Sequence, residues 1–449
     1  MNGKFLVAKK KKIILLKSIY YLFPKFLRDQ YKDSIDFYKD LANKIKMKNS
    51  ISFLKERREA LFLILTENTN ELNVNIQLLY SELNRKSKIN GPKLFTHNAK
   101  YIQLEKLENP VLDSKVFLIN NIAVLGMTDA LISHGVIYHQ ELNNMEEKHD
   151  LKRDDIFIER FPEVNGVLTL TQSQSVLNHS DTIYVSLLKE HSTNYYHWIT
   201  ENIPRLILSN ILINTSNHRD IFINQNIILL IDDEMPQQCL EIVRLVTNER
   251  FKIHSVKRGE LIRCQTLLYC SPFWQSLDNT KGILNINEFF VDKYALSLVR
   301  EEINKKIPLT QKEPFRKIYL RRRVSQMRSI INNNQVEAFM TTHGFEIIET
   351  DTISFSEQVK LFSEAKIVVG ASGATFTNIL FMQPKTIAIV FFPSHSSINH
   401  YMFQPLADVS NIQLVHFKTI SKFKSSIHDN FLVDLKNLSI LLGDVLNDD

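Results

Sequence analysis

The sequence predicts an α/β protein built on two sheets, and three observations carry that prediction. After residue 316, short β-branched runs alternate with amphipathic helical stretches. A less regular alternation of the same kind fills residues 180–270. Between them, "PLTQKEPFRK" is polar and holds two prolines, the composition of a domain boundary.

Residues 1–70 read as basic amphipathic helices, with apolar residues at helical spacing in "SIDFYKDLANKI" and "SISFLKERREALFLIL". From about 93 to 190 the pattern turns to short strands, "KVFLI", "IAVLG", "HGVIY", "GVLTL" and "TIYVSLL". A helix holding "TNYYHWITENIPRL" comes next, then "NIILLIDD" as a buried strand, "MPQQCLEIVRLVT" as a helix, and two strands, "FKIHSV" and "LIRCQTLLYC". A long helix ends before the boundary. Five strands then alternate with helices: "KIYL", "FEIIE", "KIVVG", "TIAIVFF" and "IQLVHF". That order makes a doubly wound parallel sheet. The expected division is a helical extension at 1–70, an α/β domain at 71–308, a nucleotide-binding domain at 309–425, and a last helix at 426–449 that could cross back to the first domain.

Composition narrows the function. The chain has 449 residues, 44% hydrophobic and 23% charged, a globular balance. Its net charge is +6. Residues 1–28 hold eight of the 55 basic residues and no acid, leaving 47 bases against 49 acids in the rest. The body is therefore near neutral, which argues against nucleic acid as a partner. The basic, apolar arm suits an anionic membrane surface; a packed first helix with a solvated lysine run is the other reading. Lys17 interrupts the arm, so it reads as neither a signal peptide nor a span. Three cysteines at 239, 264 and 270 form no metal spacing and suggest a reducing, cytoplasmic compartment.

Two stretches carry chemistry. "KIVVGASGATFTN" (366–378) is strand, tight loop and helix. Gly370 and Gly373 free the backbone, Ser372, Thr375 and Thr377 offer hydroxyls, and a helix starting near Thr375 would present unpaired N–H groups to a phosphate. The alternative is a tight βα turn that only packs. Upstream, "YLRRRVSQMRSIINNNQVE" places four arginines in eight residues directly after a strand, where their forks can reach the same sheet end. No D-x-D occurs, so no carboxylate pair of that kind is available to hold a metal–diphosphate. In "TNYYHWITENIPRL", Tyr195, Trp198, Ile199, Ile203 and Leu206 form an apolar face, and His197, Glu201 and Arg205 a polar stripe four residues apart. Thr193 or Asn194 can cap the helix, and Pro204 should kink it. His197 and Glu201 could serve as a general-base pair, or be a surface pair over a core helix.

These blocks together resemble glycosyltransferase family 61, as found among bacterial capsule and surface-polysaccharide enzymes. "NYYHWITENIPRL" looks like the family's Tyr-His-Trp-x-x-Asp/Glu-x-x-Pro-Arg segment. Arg322, Arg328 and Asn332 are similar to its Arg-x-x-x-x-x-Arg-x-x-x-Asn segment, and Gly373, Ala374 and Asn378 fall on its Gly-Ala-x-x-x-Asn run. Ser372 stands where many members have histidine, and Asn333 where an acid often follows. The resemblance spans about residues 165–410. It implies a GT-B architecture, two Rossmann-like domains facing a cleft, and an inverting reaction without metal. The donor, a nucleotide sugar expected to be UDP-linked, would meet Arg322, Arg328, Asn332, Gly370, Ser372, Gly373, Ala374, Thr375 and Asn378. An oligosaccharide or lipid-linked glycan acceptor would meet the side of Tyr196, Trp198 and Arg205. Glu201 is the first choice of base, with His197 as second choice or as the group orienting it; Asn332 and Asn378 are expected to tie loops. No cofactor beyond the donor is implied. A nucleotide-dependent oxidoreductase and a non-catalytic glycan- or membrane-binding protein are the alternatives.

Overall fold

The computed structural model of the chain describes residues 75–83, 85–133, 136–138, 174–177, 181–276, 289–309, 312–322, 327–421 and 427–447. The arm at 1–28, the helices expected in 1–70 and the "GVLTL" strand lie outside them. The chain divides into two compact units. One comprises residues 1–65 and 134–173, of which only the strand Val136–Tyr138 is described; the other comprises 66–133 and 174–449.

The larger unit is mixed α/β with two main sheets. Their strands are β1 (Ile76–Glu82), β2 (Lys93–Phe95), β3 (Tyr101–Gln103), β4 (Ser114–Leu125), β5 (Leu131–Ser133), β6 (Gln174–Leu177), β7 (Thr182–Ser186), β8 (Asn226–Asp232), β9 (Lys252–Val256), β10 (Leu261–Cys270), β11 (Arg316–Leu320), β12 (Glu346–Ile348), β13 (Ala365–Ala371), β14 (Ile387–Phe392) and β15 (Gln413–Lys418).

The first sheet runs β9-β8-β7-β10-β4-β5. Strands β9, β8, β7 and β10 are parallel, β4 pairs antiparallel with β10, and β1 with β4. Every side chain of β7 is buried, as a strand covered on both faces requires. "KVFLI" and "IAVLG", expected as two strands, are one: Asn121 adopts φ +57°, which asparagine tolerates, and β4 continues through it.

The second sheet runs β12-β11-β13-β14-β15-β2-β3. The five strands read from the sequence are present and parallel, in the order second, first, third, fourth, fifth. The order reverses between β11 and β13, so a crevice opens at their carboxyl ends. Two further strands come from far upstream. β2 adds parallel to β15 and β3 closes the hairpin, so residues 93–103 belong to this sheet and not to the first.

Side chains alternate across the second sheet. Ile318, Val368, Ala388 and Leu414 face a core shared with the helices of the first sheet. Tyr319, Val369, Ile389 and Phe417 face a second core with Val336, Met340, Leu438 and Leu442. The last two belong to the C-terminal helix Leu435–Asn447. That helix does not cross back to the first sheet. It covers the second, where its amide at Asn437 donates to His97 O at 2.9 Å.

Candidate active site

The arginine loop and the glycine turn flank the crevice between β11 and β13. Arg322 lies two residues past β11, and its Nη1 donates to Ser372 O at 2.6 Å. Arg328 reaches the same residue, Nη1 to Ser372 Oγ at 3.4 Å. Neither guanidinium forms an ion pair among the described residues. Burial lowers both from their ordinary value, and the charge of Arg322 lowers Arg328 further. Both remain cations, since arginine does not deprotonate in proteins. Two cations side by side without a carboxylate form a place for an anion.

The loop is pinned from the chain end. Arg328 N donates to His428 O, Ile331 N to Phe431 O, and Asn332 exchanges both its amide bonds with the backbone of Val433. Asn332 therefore ties a loop. Arg328 holds φ +54°, a left-handed conformation that costs an arginine energy and is kept by these ties.

The two glycines serve close approach. Gly373 is extended at φ −179°, and a Cβ there would come 3.0 Å from Arg322 Nη1. A Cβ on Gly370 would come 2.9 Å from Leu320 Cβ on the neighbouring strand. The helix expected after the turn is a 3₁₀ helix, Ala374–Phe381. Thr377 Oγ1 returns to Ala374 O three residues back, and Phe376 N bonds Gly373 O at the same tight spacing. Its first N–H groups, at Ala374 and Thr375, have no acceptor within the helix. Ser372 is only 1% exposed, and its N–H is taken by Phe391 O. It carries the arginines and offers no free N–H of its own. Thr375 Oγ1 meets Thr350 Oγ1 at 3.0 Å.

The second constellation begins at the carboxyl end of β7. Asn194 caps the helix, its Oδ1 accepting from Tyr196 N. One α-turn, Tyr195–His197, passes into a π-helical turn, Trp198–Asn202, before the α-helix Ile203–Asn214. Pro204 explains this. It has no N–H to give the carbonyl four residues back, and Ile203 N bonds Trp198 O five back.

The added residue rotates the remainder of the helix by about 100°. The polar stripe drawn from an unbroken helix therefore fails at Arg205. Its guanidinium is fully buried and donates to Cys270 O, Ser186 O and Asn202 Oδ1. Trp198 is also fully buried and donates to Cys239 O, and Tyr196 donates its hydroxyl to Met402 O. These three residues, expected to meet an acceptor, instead fix the helix.

Glu201 is not a surface group. It is 5% exposed and accepts from His197 Nδ1 at 2.6 Å and from Lys189 Nζ at 3.3 Å. Burial acts to raise its carboxyl, but the charge of Lys189, then the charge and hydrogen bond of His197, take it below the ordinary value. Lys189 sits three residues past β7, and the sequence reading missed it. A lysine closing the apolar run "TIYVSLLK" was the available signal. Its loop is held by Asp232 at the end of β8, which accepts from Lys189 N at 3.0 Å, Ser192 Oγ at 2.5 Å and Met127 N at 2.5 Å. Burial, only partly offset by those bonds, pushes the Asp232 carboxyl up to about 6.

The two constellations touch. Tyr195 Oη donates to Asn378 Oδ1 at 2.6 Å, and Asn378 Nδ2 donates to Gln358 Oε1 at 2.7 Å. The helix bearing His197 is thereby bonded to the helix that follows the glycine turn. Among the described residues, no three His, Cys, Asp or Glu side chains are grouped to hold a metal ion.

Residues 195–389 match the family model Glycosyltransferase 61. The match supports a glycosyltransferase. It starts at the tyrosine bonded to Asn378 and ends within β14. The matched segment holds His197, Glu201, Asp232, both arginines and the glycine turn, while Lys189 and the strand end at Phe392 lie outside it. No curated protein matches the chain.

Proposed function

We propose that the protein transfers a sugar from a nucleoside-diphosphate donor to a glycan acceptor with inversion at the anomeric carbon. The observation that carries this is the pair of carboxylate-free arginines at the crevice of the second sheet, bonded through one helix to a histidine–carboxylate pair. In this reading the arrangement is GT-B, with the donor on the second sheet and the acceptor entering from the first.

The chemistry rests on these residues. The acceptor hydroxyl attacks the anomeric carbon from the face opposite the diphosphate. Its oxygen forms the new glycosidic bond as the carbon–oxygen bond to the diphosphate breaks, and the electron pair leaves with the diphosphate. Arg322, Arg328 and the N–H groups of Ala374 and Thr375 meet the growing negative charge, so no metal is needed. The hydroxyl proton goes to His197 Nε2. Glu201 stays ionised beside Lys189 and accepts from His197 Nδ1, which fixes the tautomer with a free electron pair on Nε2. With one Glu201 oxygen held by His197 and the other by Lys189, Glu201 is the orienting group and His197 the base, the reverse of the order expected from sequence.

The test is transfer from a panel of nucleotide sugars to glycan acceptors, read by mass spectrometry in excess EDTA. A glycosylated product is expected, and Glu201→Gln should lower kcat by about 10²- to 10⁴-fold with little change in KM. Absence of product from every donor would sink the proposal, and unchanged turnover in Glu201→Gln would remove the pair from the mechanism.

The surroundings belong to the same proposal. The acceptor would be an oligosaccharide or lipid-linked glycan of a bacterial capsule or surface polysaccharide. The enzyme would work in the cytoplasm, drawn to anionic lipid through residues 1–28, which hold eight bases and no acid in their sequence. The match to a glycosyltransferase family supports a transferase over the oxidoreductase alternative.

A further inference from the structure

The carboxyl edge of the second sheet has another concavity, which the phosphate site does not use. It lies at the ends of β14 and β15, beyond the switch point, and encloses about 250 Å³. Phe392, Ser394, His395, His400, His416 and Lys418 line it. All lie past residue 389, outside the family-matched segment.

Its walls are flat rings. His416 stacks on Phe392 with centroids 5.0 Å apart and planes at 13°. His400 stands edge-on to both, 5.8 Å from Phe392 and 5.2 Å from His416. The two histidines face each other Nδ1 to Nδ1 at 3.4 Å. Two such nitrogens can share one proton but cannot both carry one. In their neutral forms the rings take opposite tautomers, so one of the pair keeps a donor at Nε2 while the other keeps an acceptor. Burial, then the Lys418 charge, pushes His400 down to about 4; burial, then His400, takes His416 well below its ordinary value. His416 Nε2 is buried without a hydrogen-bond partner among the described residues. A buried polar atom left open in this way calls for a partner.

Apart from Lys418 at its edge, the lining is aromatic and hydrogen-bonding. It suits a flat heterocycle with its own donors and acceptors. The phosphate site is close by: Ser372 N bonds Phe391 O, so the glycine turn and the cavity share β14. From the end of β13 to the end of β15 is two strand spacings, roughly 10 Å. A nucleoside spans that interval.

We propose that this cavity takes the nucleobase of the nucleoside diphosphate whose phosphates rest on Arg322 and Arg328; this builds on the donor site proposed above. The stacked Phe392 and His416 flank the base, and the histidine pair reads its edge.

The experiment is calorimetric titration of the full chain with UDP, CDP, GDP, ADP and inorganic pyrophosphate. Wild type, His400→Phe, His416→Phe and Arg322→Ala are compared, with circular-dichroism melts to verify folding. One nucleoside diphosphate should bind wild type at least tenfold more tightly than pyrophosphate. Each His→Phe variant should reduce that preference about tenfold and leave pyrophosphate binding unchanged, whereas Arg322→Ala should weaken both ligands. His400, the less buried of the pair, carries the test if His416→Phe does not fold. If the folded variants keep the wild-type preference, the base lies elsewhere and the donor site stands. If wild type binds no nucleoside diphosphate, both proposals fall.

Discussion

Lys189 is 6% exposed and lies against Glu201, itself 5% exposed. A buried charge of either sign is costly alone, so each protects the other. Lys189→Met should destabilise the protein by about 3 kcal/mol at pH 7 in urea unfolding, because it removes the buried cation beside Glu201 and leaves that carboxylate with His197 alone. Combining it with Glu201→Gln should recover most of that loss; simple additivity of the two variants would rule out the pair. The sign with pH comes from the lowered Glu201 carboxyl. Such a group stabilises above the pH at which the unfolded carboxyl ionises, and that contribution is lost as pH falls through its folded value. The penalty of Lys189→Met should therefore shrink in acid. His197 and Glu201 were legible directly, because a spacing of four places them together on a helix. Lys189 was not, since it approaches from a loop before the helix; nor was the burial of Glu201, which depends on β7 and β8.

At the scale of elements, the π turn is the local fact that sequence spacing hides. Pro204 signalled a disturbance, but a kink and an inserted residue look alike in a string of letters. The inserted residue separates His197 and Glu201 from Arg205, which turns inward to bind strand carbonyls. Pro204→Ala restores an N–H to residue 204 and permits an ordinary α-helical bond to Thr200. It should lower transfer roughly 10²-fold, the cost of displacing a positioned group by about an ångström. Unfolding free energy should stay within about 1 kcal/mol of wild type. Wild-type turnover would mean that the turn is incidental. The glycine turn was legible as a strand-to-helix junction, but the reason for its glycines was not. Neither Gly370 nor Gly373 has positive φ; each makes room for a neighbour that sequence does not place beside it.

The whole molecule reads from sequence where order alone decides. Five strands alternating with helices dictate a parallel sheet, and that sheet is present. The partners that join it across long stretches of chain were out of reach. The pairing of β15 with β2 links residues some 320 positions apart, and three-residue strands leave almost no periodic signal. The basic arm lies outside the described residues, and its role is tested on the full chain. Pelleting with phosphatidylserine vesicles should decrease on deletion of residues 1–28 and with added salt, as screening requires; equal pelleting of both proteins would end the membrane proposal.

The hairpin Lys93–Gln103 also guards an edge. It caps a strand that would otherwise end the second sheet with a row of open N–H and C=O groups. The boundary written in the sequence near residue 308 is thus no place to divide the protein. A fragment beginning there would keep all five alternating strands, yet expose a bare, sticky margin to any other copy it met.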